Sequence, residues 1–98
     1  MAPSDRIASI EIVNFKTCPL YDGDIESTTG IPDVVKEIGL KIAEADAIYI
    51  STPEYNFSIS APLKNIIDWL TRLNPNPLKD KPCAIASCSA GPSGGLRA

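Results

Sequence analysis

An α/β fold with parallel strands is predicted for this chain by two observations. Short β-branched or apolar runs alternate with amphipathic helical stretches, in the order β, loop, α, β, α, β. Such alternation calls for right-handed helical crossovers between parallel strands. The turn after the second run, Ser51 to Ser60, is polar and carries Pro53. A turn of that kind, between a buried strand and a helix, is where open α/β sheets place their ligands.

The elements follow in order. Ile7 to Val13 has β-branched residues with partial alternation and reads as a strand. Phe15 to Thr29 reads as a loop, with Pro19 and Asp22-Gly23 as turn signals. Asp22 and Asp24 within it read as a solvated turn, a metal loop being the weaker alternative because two carboxylates make a poor ligand set. Gly30 to Ala45 reads as a helix, with Pro32 in its first turn and Val34, Val35, Ile38, Ile42 and Ala45 along one face. Asp46 opens the next strand, Ala47 to Ser51, apolar throughout as expected of a parallel strand covered on both faces. Ser60 is a plausible N-cap, Pro62 sits in the first turn, and Leu63, Ile66, Ile67 and Leu70 form the buried stripe of a helix reaching Arg72. Trp69 beside that stripe reads as helix packing or a subunit contact. Pro82 to Cys88 is a third strand. It leads into Ser89-Ala90-Gly91-Pro92-Ser93-Gly94-Gly95, a second strand-to-helix turn.

Bulk properties narrow the function. Ninety-eight residues, 44% hydrophobic and 21% charged, suit one globular domain, 1–98, of modest stability. The net charge of −3 and the absence of a basic stripe give nucleic acid no footprint. No apolar run is long enough to span a membrane and the first six residues have no signal-peptide core, so a cytoplasmic location is expected. The chain has no histidine, which removes the commonest general base and the serine and cysteine hydrolase triads. Cys18, Cys83 and Cys88 match no zinc spacing and read as small buried or half-buried hydrophobes. No residue is assigned a catalytic role, and no metal ligand set is read.

Parallel strands point their carboxyl ends to one edge, so the turns after Ser51 and Cys88 lie side by side. The first offers a carboxylate, a phenol, an amide and backbone N–H groups; the second offers glycines that let a flat ligand approach the backbone. The pair suits gripping a planar cofactor better than acid–base chemistry.

Three segments carry a resemblance. Thr52-Pro53-Glu54-Tyr55-Asn56 is followed by Ser58, Pro62 and Leu63-Lys64-Asn65 through Asp68-Trp69-Leu70. Pro19-Leu20-Tyr21-Asp22-Gly23-Asp24 precedes it, and Ser89 to Ala98 closes the chain. Together these resemble the NADPH-dependent FMN reductase family, the flavodoxin-like group that includes quinone, chromate and azo-dye reductases. The resemblance implies a flavodoxin-like three-layer parallel sheet, here partial, with the family's strands 2, 3 and 4 present and strands 1 and 5 absent. It also implies that Pro53, Glu54, Tyr55 and Asn56 wrap the flavin ring and ribityl chain, and that Ser89, Ala90, Gly91 and Gly94 line the ring from the neighbouring strand end. The implied reaction is hydride transfer from NADPH or NADH through bound FMN to a small-molecule acceptor such as a quinone, in a homo-oligomer.

Within this reading, Glu54 is a structural carboxylate, with a proton relay as the alternative. Tyr55 contacts cofactor or substrate, with simple packing as the alternative. The 89–95 turn is a flavin-ring loop, with a phosphate nest as the alternative. The family's upstream Gly/Ser/Arg loop, which cradles the FMN phosphate at a helix N-terminus, has no counterpart in 1–98. The expectation is therefore a truncated portion of such a reductase that holds FMN weakly or not at all. The competing expectation is an inactive α/β fragment that acts, if at all, as an interaction module through open strand edges.

Overall fold

The apolar stripes read from the sequence meet across two helices. The computed structural model describes residues 9–88. Their elements are α1 (Gly23–Thr29), α2 (Asp33–Glu44), β1 (Ile48–Pro53), α3 (Ala61–Leu70) and β2 (Cys83–Cys88). Val35, Ile38 and Ile42 of α2 pack with Leu63, Ile66, Trp69 and Leu70 of α3, and Ile48 and Ile50 of β1 close this core from the sheet side. Spacing of three and four residues puts each set on one helical face, which is why burial is confined to it.

β1 and β2 are parallel neighbours joined through α3, in register from Ile48 opposite Cys83 to Pro53 opposite Cys88. Among the described residues the sheet has these two strands alone. The architecture is a partial α/β fold, with helices packed on one face of a parallel sheet. The two strands end at the same edge, Pro53 opposite Cys88, where the turn after β1 begins; the 89–95 turn lies outside the described residues.

Several expectations are corrected. Residues 9–13 form no ladder; residues 7 and 8 of that expected strand lie outside the described residues. A strand exists only through its partner, and among the described residues segment 9–13 pairs with none. Segment 9–13 is held instead by a 2.7 Å ion pair from Glu11 to Lys41 and by Val13 against the core, while Ile10 and Ile12 stay 91% exposed. The expected loop 15–29 contains α1, because Asp22 is an N-cap: extended at φ −149°, its carboxylate accepts the Asp24 N–H at 2.8 Å.

The helix expected from Gly30 begins at Asp33, with Pro32 as its N-cap residue. It ends without a glycine, and Lys81 donates to the Ala45 carbonyl at 2.6 Å, occupying an acceptor the helix end leaves open. β1 starts at Ile48, not Asp46, and runs on through Thr52 and Pro53. It is not covered on both faces: Ile48 and Ile50 turn to the helices, whereas Tyr49 is 71% exposed. The helix expected to reach Arg72 ends at Leu70. Cys18 is half-buried as expected, but Cys83 is exposed, as are Ala84 and Ile85 after it in β2.

Candidate functional site

Ordinary strand physics ends at Thr52. Its side chain is the buried polar one among the described residues, and its hydroxyl has two jobs. It donates to the Pro53 carbonyl at 2.9 Å and accepts the Ser60 backbone N–H at 3.2 Å. The end of β1 is thereby tied to the start of α3, across the turn between them. Ser60 itself makes no side-chain cap, and Pro62 occupies the first turn where its missing N–H is harmless.

Between these anchors the chain closes a tight turn. The Tyr55 N–H donates to the Ser58 carbonyl at 2.8 Å and the Ser58 N–H returns to the Tyr55 carbonyl at 3.0 Å. Both central residues are left-handed, Asn56 at φ 50° and Phe57 at φ 65°. Two-residue hairpin turns of this hand favour Asn followed by Gly. Asn tolerates the conformation; Phe at the second position stores strain of about 1–2 kcal/mol. The turn holds Tyr55 59% and Phe57 66% exposed.

Beside it lies an open recess of about 310 Å³ lined by Ser51, Thr52, Pro53, Ala86 and Ser87. Small side chains line it at the carboxyl ends of both strands, so a flat ring system can come close to the backbone. Of the residues assigned by resemblance, Pro53 lines the recess, Glu54 is half-buried just beyond it, and Tyr55 and Asn56 form the exposed turn. Ser89, Ala90, Gly91 and Gly94 lie outside the described residues.

A second polar cluster ties the 19–26 segment to α3. Asn65 accepts the Tyr21 N–H at 2.7 Å and donates to the Pro19 carbonyl at 2.9 Å. Trp69, one helical turn on, donates its indole N–H to the same carbonyl at 2.8 Å and meets the Tyr21 ring edge-on at 4.8 Å. The Tyr21 hydroxyl donates to Glu26, which also receives the Arg72 Nε at 3.0 Å. The Arg72 and Tyr21 hydrogen bonds hold the Glu26 carboxyl below its ordinary range; the Glu26 bond pushes the Tyr21 hydroxyl up. Burial raises the Cys18 thiol, which leaves it unprimed as a nucleophile.

The roles of Thr52, Asn65 and the Ser51, Ala86 and Ser87 walls were not legible beforehand. Asn65 and Trp69 share a helical face by their spacing, but their common target lies 46 and 50 residues away in sequence. Among the described residues no cluster of three His, Cys, Asp or Glu side chains could hold a metal ion, and no helix is long and apolar enough to cross a membrane.

Comparison with known proteins adds a separate line. Residues 2–98 match the family model for NADPH-dependent FMN reductases. The chain is 47% identical over 79 residues to a quinone reductase of Escherichia coli K12, covering 81% of this chain and 42% of that protein. It is 48% identical over 86 residues to an NADPH:quinone oxidoreductase of Arabidopsis thaliana, covering 88% and 43%. Its structure is similar to that of FerB, a flavoenzyme NAD(P)H:(acceptor) oxidoreductase from Paracoccus denitrificans. The TM-score is 0.75 at 34% identity, over 90% of this chain and 48% of that one. The chain thus spans under half the length of these relatives.

Proposed function

The chain belongs to the NADPH-dependent FMN reductase family, and from that premise we propose that residues 1–98 are a partial flavodoxin-like domain supplying the ring-gripping part of a flavin site. The observation that carries this is the recess at the adjoining ends of β1 and β2, with the tight 55–58 turn beside it. Pro53, Glu54, Tyr55 and Asn56 would hold the ring from the β1 side, and Ser89, Ala90, Gly91 and Gly94 from the β2 side.

Bound there, FMN supplies hydride chemistry between NADPH or NADH and a quinone-type acceptor. The chain's own residues orient and shield. Thr52 fixes the strand end, Pro53 and Ala86 present apolar surface, and Asn56 offers an amide that can donate to or accept from a polar ring edge. A homo-oligomer in the cytoplasm fits this reading.

Titration with FMN and with riboflavin, followed by flavin-fluorescence quenching, tests it. A site that grips the ring and not the phosphate binds both with dissociation constants within about threefold, under 1 kcal/mol apart. Asn56→Ala weakens both together. No quenching by either ligand overturns the proposal.

A second reading, a non-catalytic interaction module, draws on the uncovered sheet face at Tyr49 and Ser51. Sedimentation velocity separates the two: concentration-dependent association without flavin supports the module, and a flavin-loaded species of fixed size counts against it.

A further inference from the structure

The 55–58 turn contains a residue that the local backbone does not favour. Phe57 sits at φ 65°, where glycine is the preferred occupant, and its ring is 66% exposed. A large apolar side chain normally gains stability by burial, and this one is mostly in water. Strain of this kind collects at ligand clamps, where it presets a side chain. Tyr55, which opens the same two-bond turn, is exposed as well.

We propose that Phe57 is a specificity-determining residue, an aromatic platform on which a planar electron acceptor stacks as it approaches the recess between β1 and β2. This rests on the flavin-site reading for the recess, but the platform is a property of the turn. The two backbone bonds between Tyr55 and Ser58 hold the turn before any ligand arrives, so little ordering remains to be done on binding. Offset or edge-on contact with a flat ring is the geometry an exposed phenyl group favours. The recognised class is a fused-ring quinone; an acceptor without a π-face, such as ferricyanide, gains nothing from it.

The test uses anthraquinone-2-sulfonate, which is planar and has no open ring carbon for the exposed Cys83 thiol to attack. The flavin-free chain is titrated and the Phe57 ring protons are followed by NMR. The wild type and Phe57→Tyr are expected to bind, with the ring protons of residue 57 shifted upfield. Phe57→Leu, which keeps apolar bulk without a π-face, and Phe57→Gly, which keeps neither, are expected to bind about threefold to tenfold more weakly. Phe57→Gly is expected to melt at or above the wild-type temperature, so its weaker binding cannot be assigned to unfolding. Equal binding by wild type, Leu and Gly variants overturns the proposal, and so does loss of binding in the Tyr variant. FMN titration of the same variants is read separately: failure of FMN to bind the wild type sinks the flavin-site reading and leaves the stacking result to stand or fall on the quinone.

Discussion

The two ends of α3 face opposite demands. From its middle to its C-terminal end, Asn65 and Trp69 converge on the Pro19 carbonyl, Tyr21 packs on the indole, and Arg72 just beyond the helix is bonded to Glu26. There, packing and hydrogen bonding reinforce each other. Toward its N-terminal end, the 55–58 turn holds two aromatic rings in water, one of them on a strained backbone. The first region spends its side chains on holding the fold, the second on what lies outside it. Thr52 is the joint between them, since its hydroxyl links the strand end to the first residue before α3.

If that division holds, damage to the bracing region lowers stability, and relief of the turn raises it. Trp69→Ala is expected to have the largest effect. It empties the space of a fully buried ring, removes the Tyr21 contact and strips one donor from Pro19, for a loss of about 3–5 kcal/mol in urea unfolding. That is a large fraction of the whole stability of a small domain. A loss below about 1 kcal/mol would mean the indole is not the keystone of this region.

Asn65→Ala comes next, at about 1–2 kcal/mol. It orphans the Tyr21 N–H, while the better helix propensity of alanine returns part of the loss. Phe57→Gly should have the opposite sign. Release of left-handed strain outweighs the added freedom of the unfolded chain, giving a gain of up to about 1 kcal/mol by thermal unfolding. A destabilised glycine variant would place Phe57 with the bracing region.

The smallest effect concerns pH. The Glu26 carboxyl is held below its ordinary range by Arg72 and Tyr21, so its contribution is complete above the unfolded glutamate value. It is lost as pH falls through the lower, folded value. Wild-type stability should therefore rise with pH across that window, and Glu26→Gln should flatten the rise when urea midpoints are compared. An equally steep acid limb in the variant would show that the Glu26 bonds contribute nothing measurable, as exposed pairs often do.

Particular residues show where sequence reading stops. The faces of α2 and α3 were legible because a helix repeats every three to four residues: Val35, Ile38, Ile42, Leu63, Ile66 and Leu70 are buried as their spacing predicts. The Ser60 start of α3 and the Cys83–Cys88 strand were legible for similar local reasons. Segment 9–13 misled because β-branched residues state a preference that only a partner can realise. Asp22-Gly23 misled because an aspartate before a glycine serves a turn or a helix N-cap equally well. Gly39 of α2 carries no such local signal. In the fold it is buried, and a Cβ there would come within 2.5 Å of the Leu73 side chain, so its smallness admits the chain after α3.

What the sequence determined by itself was the α/β class, the helix faces and the family, each written in residues close together along the chain or in a contiguous motif. What only the tertiary structure decided was the Asn65–Trp69 clamp on Pro19, the double use of the Thr52 hydroxyl, the one-sided cover of β1 and the strained exposure of Phe57. Each depends on which distant groups satisfy which donors and acceptors, and hydrogen bonds across 44 to 50 residues leave no periodic trace.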